Sequence, residues 1–120
     1  MTQQSDSTSE NSLVKVGDKT PLWTAPGTEG EVRLAEILQS QAVLLIFYPA
    51  DWSDVCSDEL PLLEELVKLA GNLKLKTLAI STDSLFCHRA FAGEIGLQRT
   101  VLVSDTRNAI CRSYGLPVDE

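Results

Sequence analysis

The sequence holds few cysteines, little positive charge and no long apolar run, and each shortage removes a class of protein. Its three cysteines, Cys56, Cys87 and Cys111, are an odd set without CxxC spacing. That suits neither a disulfide framework nor a structural zinc site. Ten Lys and Arg stand against seventeen Asp and Glu, for a net charge of −7. This is the wrong sign for nucleic acid or an anionic membrane surface as a main partner. No apolar stretch reaches the roughly 20 residues of a membrane-spanning helix. Residues 1–12, MTQQSDSTSENS, lack the basic and apolar parts of a secretory signal and read as a disordered polar tail. The expected location is the cytoplasm, where cysteines are either inert core residues or chemical ones. No internal repeat is present, and no low-complexity segment beyond the tail.

What remains is one domain, residues 13–120, with enough apolar content (43% of the 120 residues) for a single core. It is organised around residues 41–70. The run Ala42-Val43-Leu44-Leu45-Ile46-Phe47-Tyr48 reads as a central strand covered on both faces. Pro49 stops it, and Asp51, Ser53 and Asp54 are good helix caps. A helical pattern follows through Leu62, Leu63, Leu66, Val67 and Ala70, placing Cys56 in the first turn. Upstream, residues 21–25 suit a short strand closed by Pro26-Gly27, residues 31–34 a second strand, and residues 35–39 one helical turn. Downstream, Gly71-Asn72 reads as a helix stop and residues 74–81 as a parallel strand. Residues 85–95 read as a helix with Phe86, Ala90, Phe91 and Ile95 on one face. Residues 100–103 form a strand, and residues 108–114 a last helix with Ile110 and Tyr114 inward and Gly115 as its cap. Such strand–helix alternation predicts an α/β fold with a mainly parallel sheet flanked by helices.

Cys56 is the chemical focus. A cysteine attacks as its thiolate, and a helix N-terminus favours the anion through free N–H groups and the helix dipole. Ser53 can turn its hydroxyl to the sulfur or a substrate, or serve as a plain N-cap. Asp51, Asp54, Asp58 and Glu59 crowd the same turn and raise a thiol pKa. Only Lys68 is basic between Asp51 and Ala70, so the offsetting cation must come from elsewhere in the fold. Pro61 implies either a kink or restart of the helix, or a Cys56 turn able to unwind.

Pro49-Ala50-Asp51-Trp52-Ser53-Asp54-Val55-Cys56 resembles the PxxxTxxC signature of the peroxiredoxins, the alkyl hydroperoxide reductase and thiol-specific antioxidant group, with Ser53 in the Thr place. Val16-Gly17-Asp18 with Pro21 is similar to the family's VGDxAP, and Glu59 to the acid that follows the cysteine. Ile80-Ser81-Thr82-Asp83-Ser84 resembles its ISxDS, His88 with Ala90-Phe91 its HxAF, and Ser104-Asp105 with Tyr114-Gly115 its SD…YG. These pieces lie in family order over residues 14–116. The resemblance implies a thioredoxin-like fold and a thiol-dependent peroxidase that needs no metal or organic cofactor. Cys56 would be the peroxidatic nucleophile, reducing hydrogen peroxide or organic hydroperoxides through a sulfenic acid. Ser53 would hydrogen-bond the peroxide and Pro49 would shield the thiolate. The reductant would be a thioredoxin-like protein or a small thiol, and a homodimer is among the expected assemblies.

The family's active-site arginine lies on a strand after the YG segment, followed by further strand and helix, and this sequence has no counterpart of that stretch. It looks like the amino-terminal portion of a peroxiredoxin. A second reading follows: a catalytically impaired redoxin domain acting as an interaction module or redox sensor. Cys87 is either the resolving thiol or a half-buried structural cysteine. Cys111 suits core packing, His88 a surface or capping place, and Trp52 the mouth of the pocket.

Overall fold

A computed structural model describes residues 13–52, 54–70 and 75–117, the side chains of residues 54–57 and 70 excepted. The expected tail over residues 1–12, Ser53, the Cys56 side chain and the stop at Gly71 and Asn72 lie outside the described residues.

The elements follow in the order β1 (Thr24–Gly27), β2 (Gly30–Arg33), α1 (Leu34–Ile37), β3 (Ala42–Phe47), α2 (Asp54–Ala70), β4 (Leu75–Ser81), α3 (Leu85–Ile95), β5 (Val101–Ser104) and α4 (Ala109–Ser113). The strands form one sheet in the order β2-β1-β5-β4-β3. Strands β3, β4 and β5 are parallel, joined by crossovers through α2 and α3, whereas β1 pairs antiparallel with both β2 and β5. The sheet is thus mixed, with the expected parallel strands β3, β4 and β5 extended by an antiparallel β1–β2 hairpin.

Alternation along the strands sorts the core into two layers. On one face Leu78, Ile80, Val101 and Val103 meet Leu34 and Ile37 of α1 and Ile110 of α4. On the other, Ala79 and Leu102 meet Leu60 of α2 and Phe91 of α3. Full burial of a side chain such as Phe91 or Leu102 stabilises the fold by about 1.5–3 kcal/mol.

Four local expectations are corrected. The first strand covers Thr24–Gly27, so Pro26 and Gly27 lie inside it and pair with Glu31 and Gly30. Gly27 is required there, because a Cβ would sit 2.7 Å from Val32 Cγ2 and 3.0 Å from Val101 Cγ1. Secondly, β3 is an edge strand among the described residues, and its last five residues are only half-buried. An apolar run fits an uncovered edge as readily as a sheet centre, so composition alone misplaces it. Thirdly, the core face of α3 carries His88, Phe91, Ala92 and Ile95, while Phe86 is 89% exposed and Ala90 is exposed. Finally, α2 runs unbroken through Pro61, so the helix does not restart there. No helix among the described residues is long and apolar enough to cross a membrane.

Candidate active site

The candidate site lies where β3, β4 and β5 end. Tyr48 N bonds to Ile80 O at 3.0 Å and Asp105 N to Ser81 O at 2.9 Å, carrying the ladder one step beyond the strands. The chain between β3 and α2 is then pinned by side chains. Asp51 N donates to Asp83 Oδ2 at 2.6 Å, which also accepts the Ser81 hydroxyl at 2.7 Å. Ser104 Oγ donates to the Asp83 carbonyl at 2.7 Å, tying the same turn to β5. Trp52 holds a left-handed φ of 70°, a conformation that costs a bulky residue about 1–2 kcal/mol. Its ring sits edge-on to Phe91 with centroids 5.1 Å apart and stays 50% exposed. Anchored on both sides, this bend delivers the chain to α2, whose third residue is Cys56.

Sequence reasoning missed the group beneath the bend. His88, expected at the surface, is fully buried. Its Nδ1 lies 2.7 Å from Asp51 Oδ2, and its Nε2 lies 3.0 Å from the Val103 carbonyl. The Tyr48 hydroxyl donates to the other Asp51 oxygen and lies 3.3 Å from His88 Nδ1. Burial, and then the hydrogen bond to Asp51, push the Tyr48 phenol well above its ordinary value, so it stays a donor. The available signal was spacing: His88, Phe91, Ala92 and Ile95 follow one helical face.

The other predicted residues are divided. Pro49 is exposed and lines a cleft of about 360 Å³ together with Tyr48, Thr82, Asp105, Asn108 and Cys111. Cys111 is therefore a half-buried cleft residue rather than a core one. Cys87 does not line this cleft; its Sγ lies 3.9 Å from Asp83 Oδ1, and its N–H bonds to Ser84 Oγ at 3.2 Å, capping α3. Partial burial, then Asp51 and Asp83, raise the Cys87 thiol. Burial, then Asp105, raise Cys111, with Arg112 opposing. Both are resting thiols rather than spontaneous thiolates. Among the described residues that line the cleft, none is cationic.

Asp51, Asp83 and Cys87 bring their donor atoms within 4.8 Å of one another. The carboxylates are already engaged by Tyr48, His88, Ser81 and the Asp51 amide, so this cluster is part of the loop anchor.

Comparison with known proteins agrees with the fold. The AhpC/TSA family model matches residues 16–120. A bcp peroxiredoxin of Coxiella burnetii is 34% identical over 107 residues, covering 89% of this chain and 70% of that protein. A chloroplastic 2-cysteine peroxiredoxin of Chattonella marina var. antiqua is 32% identical over 117 residues, and this chain spans only 60% of its length. Among solved structures, the peroxidoxin BcpB of Mycobacterium tuberculosis superposes with a TM-score of 0.79 at 26% identity, covering 87% of this chain and 68% of that one. The reduced 2-Cys peroxiredoxin of Plasmodium vivax gives 0.75 at 28% identity, covering 87% and 60%. With a thioredoxin-like sheet and a family model matching nearly all the described residues, this chain belongs to the AhpC/TSA family, the peroxiredoxins.

Proposed function

We propose that this chain is a thiol peroxidase domain with Cys56 as its nucleophile. The observation that carries the reading is the pinned bend from Pro49 to Trp52, which presents Cys56 as the third residue of a helix of 17 residues. Free N–H groups of that first turn favour a thiolate. The Cys56 thiolate attacks the terminal oxygen of hydrogen peroxide or an organic hydroperoxide, and the O–O bond breaks. Water or alcohol leaves, having taken up a proton, and the sulfur is oxidised to a sulfenic acid. Ser53 holds the peroxide by a hydrogen bond, and Pro49 at the cleft edge shields the sulfur. Two electrons return from a thioredoxin-like protein or a small thiol, either through Cys87 as resolving thiol or directly, and the oxygen leaves as water. No metal or organic cofactor enters, and the cytoplasm supplies the reducing thiols.

A second reading, an impaired redoxin domain acting as an interaction module or redox sensor, is favoured by two observations. The cleft lining carries no cation among its described residues, and β3 is an edge strand among the described strands. The test is the rate of Cys56 oxidation by hydrogen peroxide, followed by Trp fluorescence beside Cys56→Ser, with turnover coupled to a thioredoxin system. The peroxidase reading expects oxidation orders of magnitude faster than a free thiol, abolished in Cys56→Ser. A rate equal to that of free cysteine hands the chain to the interaction-module reading.

A further inference from the structure

We propose that His88 is the counter-charge and anchor of the reactive loop, supplying the positive partner that the acidic turn before Cys56 requires. The argument starts from donors and acceptors. The Val103 carbonyl can only accept, so the nitrogen 3.0 Å from it, Nε2, carries a hydrogen. Nδ1 lies 2.7 Å from Asp51 Oδ2, and two bare acceptors do not approach so closely without a shared proton. The His88–Asp51 pair therefore holds two protons and is neutral as a unit. Asp51, buried to 6% exposure, then adds no bare negative charge to the turn that carries Cys56.

The groups facing this pair are few. Tyr48 from the end of β3 donates to Asp51; Asp83 beyond β4 accepts the Asp51 amide; Cys87 is the neighbouring residue on α3. From β5 the facing group is the uncharged Val103 carbonyl. Among these described residues, none besides His88 can balance Asp51. The same contacts hold the loop in place, linking the ends of β3 and β5 through one ring on α3. His88 is thus a positioning residue that acts on Cys56 through Asp51.

This inference rests on Cys56 being the reactive thiol, and its test needs no peroxidase turnover. Alkylation of Cys56 by iodoacetamide, followed by mass spectrometry from pH 5 to 10, reports the thiolate fraction in wild type, His88→Gln and His88→Gln/Asp51→Asn. His88→Gln leaves Asp51 unbalanced and is expected to slow alkylation at pH 7 by about three- to ten-fold, a midpoint raised by half to one unit. The second substitution removes the stranded charge and is expected to return the midpoint to within a factor of two in rate. A folded His88→Gln protein with the wild-type midpoint overturns the proposal. So does a raised midpoint that Asp51→Asn does not reverse, since that marks a purely structural role. If His88→Gln does not fold, the wild-type protein still decides. His88 is the only histidine in the chain, and its Nδ1 should show a slowly exchanging, far-downfield proton that disappears in Asp51→Asn. A bare Nδ1 without that proton rejects the pairing. Fast alkylation with slow peroxide oxidation would leave the anchor standing while removing the peroxidase reading.

Discussion

The two ends of the sheet are each held by one acidic residue, and the two are satisfied in opposite ways. At the amino end, Glu64 of α2 accepts the backbone N–H groups of Gln98, Arg99 and Thr100 at 2.9, 2.8 and 2.9 Å. At the carboxyl end, Asp51 is held by the side chains of Tyr48 and His88. Backbone donors cannot titrate, so Glu64 is a fixed clamp that closes the α3–β5 loop. The partners of Asp51 are side chains from two elements, so each can be removed singly by substitution.

The comparison can be broken at three depths. The largest effect is expected where both ends share support. Phe91 is fully buried, packs in the α2–α3 layer and carries Trp52 on its edge. Phe91→Ala should lower unfolding free energy by about 3–5 kcal/mol, read from urea melts, and should loosen the Trp52 bend in fluorescence.

Next comes the fixed clamp. Glu64→Ala strands three N–H groups and should cost about 2–3 kcal/mol at pH 7. Partial burial works against the Glu64 carboxylate, but the three backbone donors outweigh it and hold its pKa below the ordinary value. Its contribution is therefore full above the unfolded value of about 4.3 and fades as pH falls through the lowered folded one. Urea midpoints at pH 7 and pH 3 should show the gap between wild type and variant narrowing in acid. A gap that stays constant contradicts the clamp.

The smallest effect belongs to the Asp51 end. Tyr48→Phe removes one donor to Asp51 and should cost about 1–2 kcal/mol. The Tyr48 phenol is held above its unfolded value, so the loss should be full below about pH 10 and decline above it. Little change near pH 4 would set it apart from the Glu64 variant in the same melts.

Much of this was legible in the sequence, and the failures have physical causes. The helix over Leu85–Ile95 has its predicted bounds because Ser84 caps its start and Gly96, with φ of 74°, ends it in the left-handed region only glycine enters cheaply. The helix carrying Cys56 lies where its pattern put it, over Asp54–Ala70, but Leu62 and Leu66 of that pattern are 59% and 53% exposed, while Leu60 is buried. Pro26-Gly27 misled because it reads as a turn, whereas a tightly packed strand needs Gly27 for close approach to Val32 and Val101. The edge position of β3 was hidden because pairing partners are a property of topology, and AVLLIF contains no charge to mark an edge. His88 was hidden for a related reason. Helical spacing with Phe91, Ala92 and Ile95 marks its inward face, but its partner Asp51 lies 37 positions away and only the topology brings the two together.

The place of β5 in the sheet has a consequence in time. This strand lies between β1 and β4, and Leu102 bonds to Thr28 from 74 positions along the chain. During synthesis the β1–β2 hairpin and the β3–α2–β4 unit both emerge well before the strand that joins them. Each waits with one flank open, and neither can dock until Val101–Ser104 has left the ribosome. Loop closure over that distance makes the last step slow relative to local structure. Assembly of the region that presents Cys56 is therefore gated by four residues that arrive late, and a chain halted before them would expose two sheet fragments to aggregation.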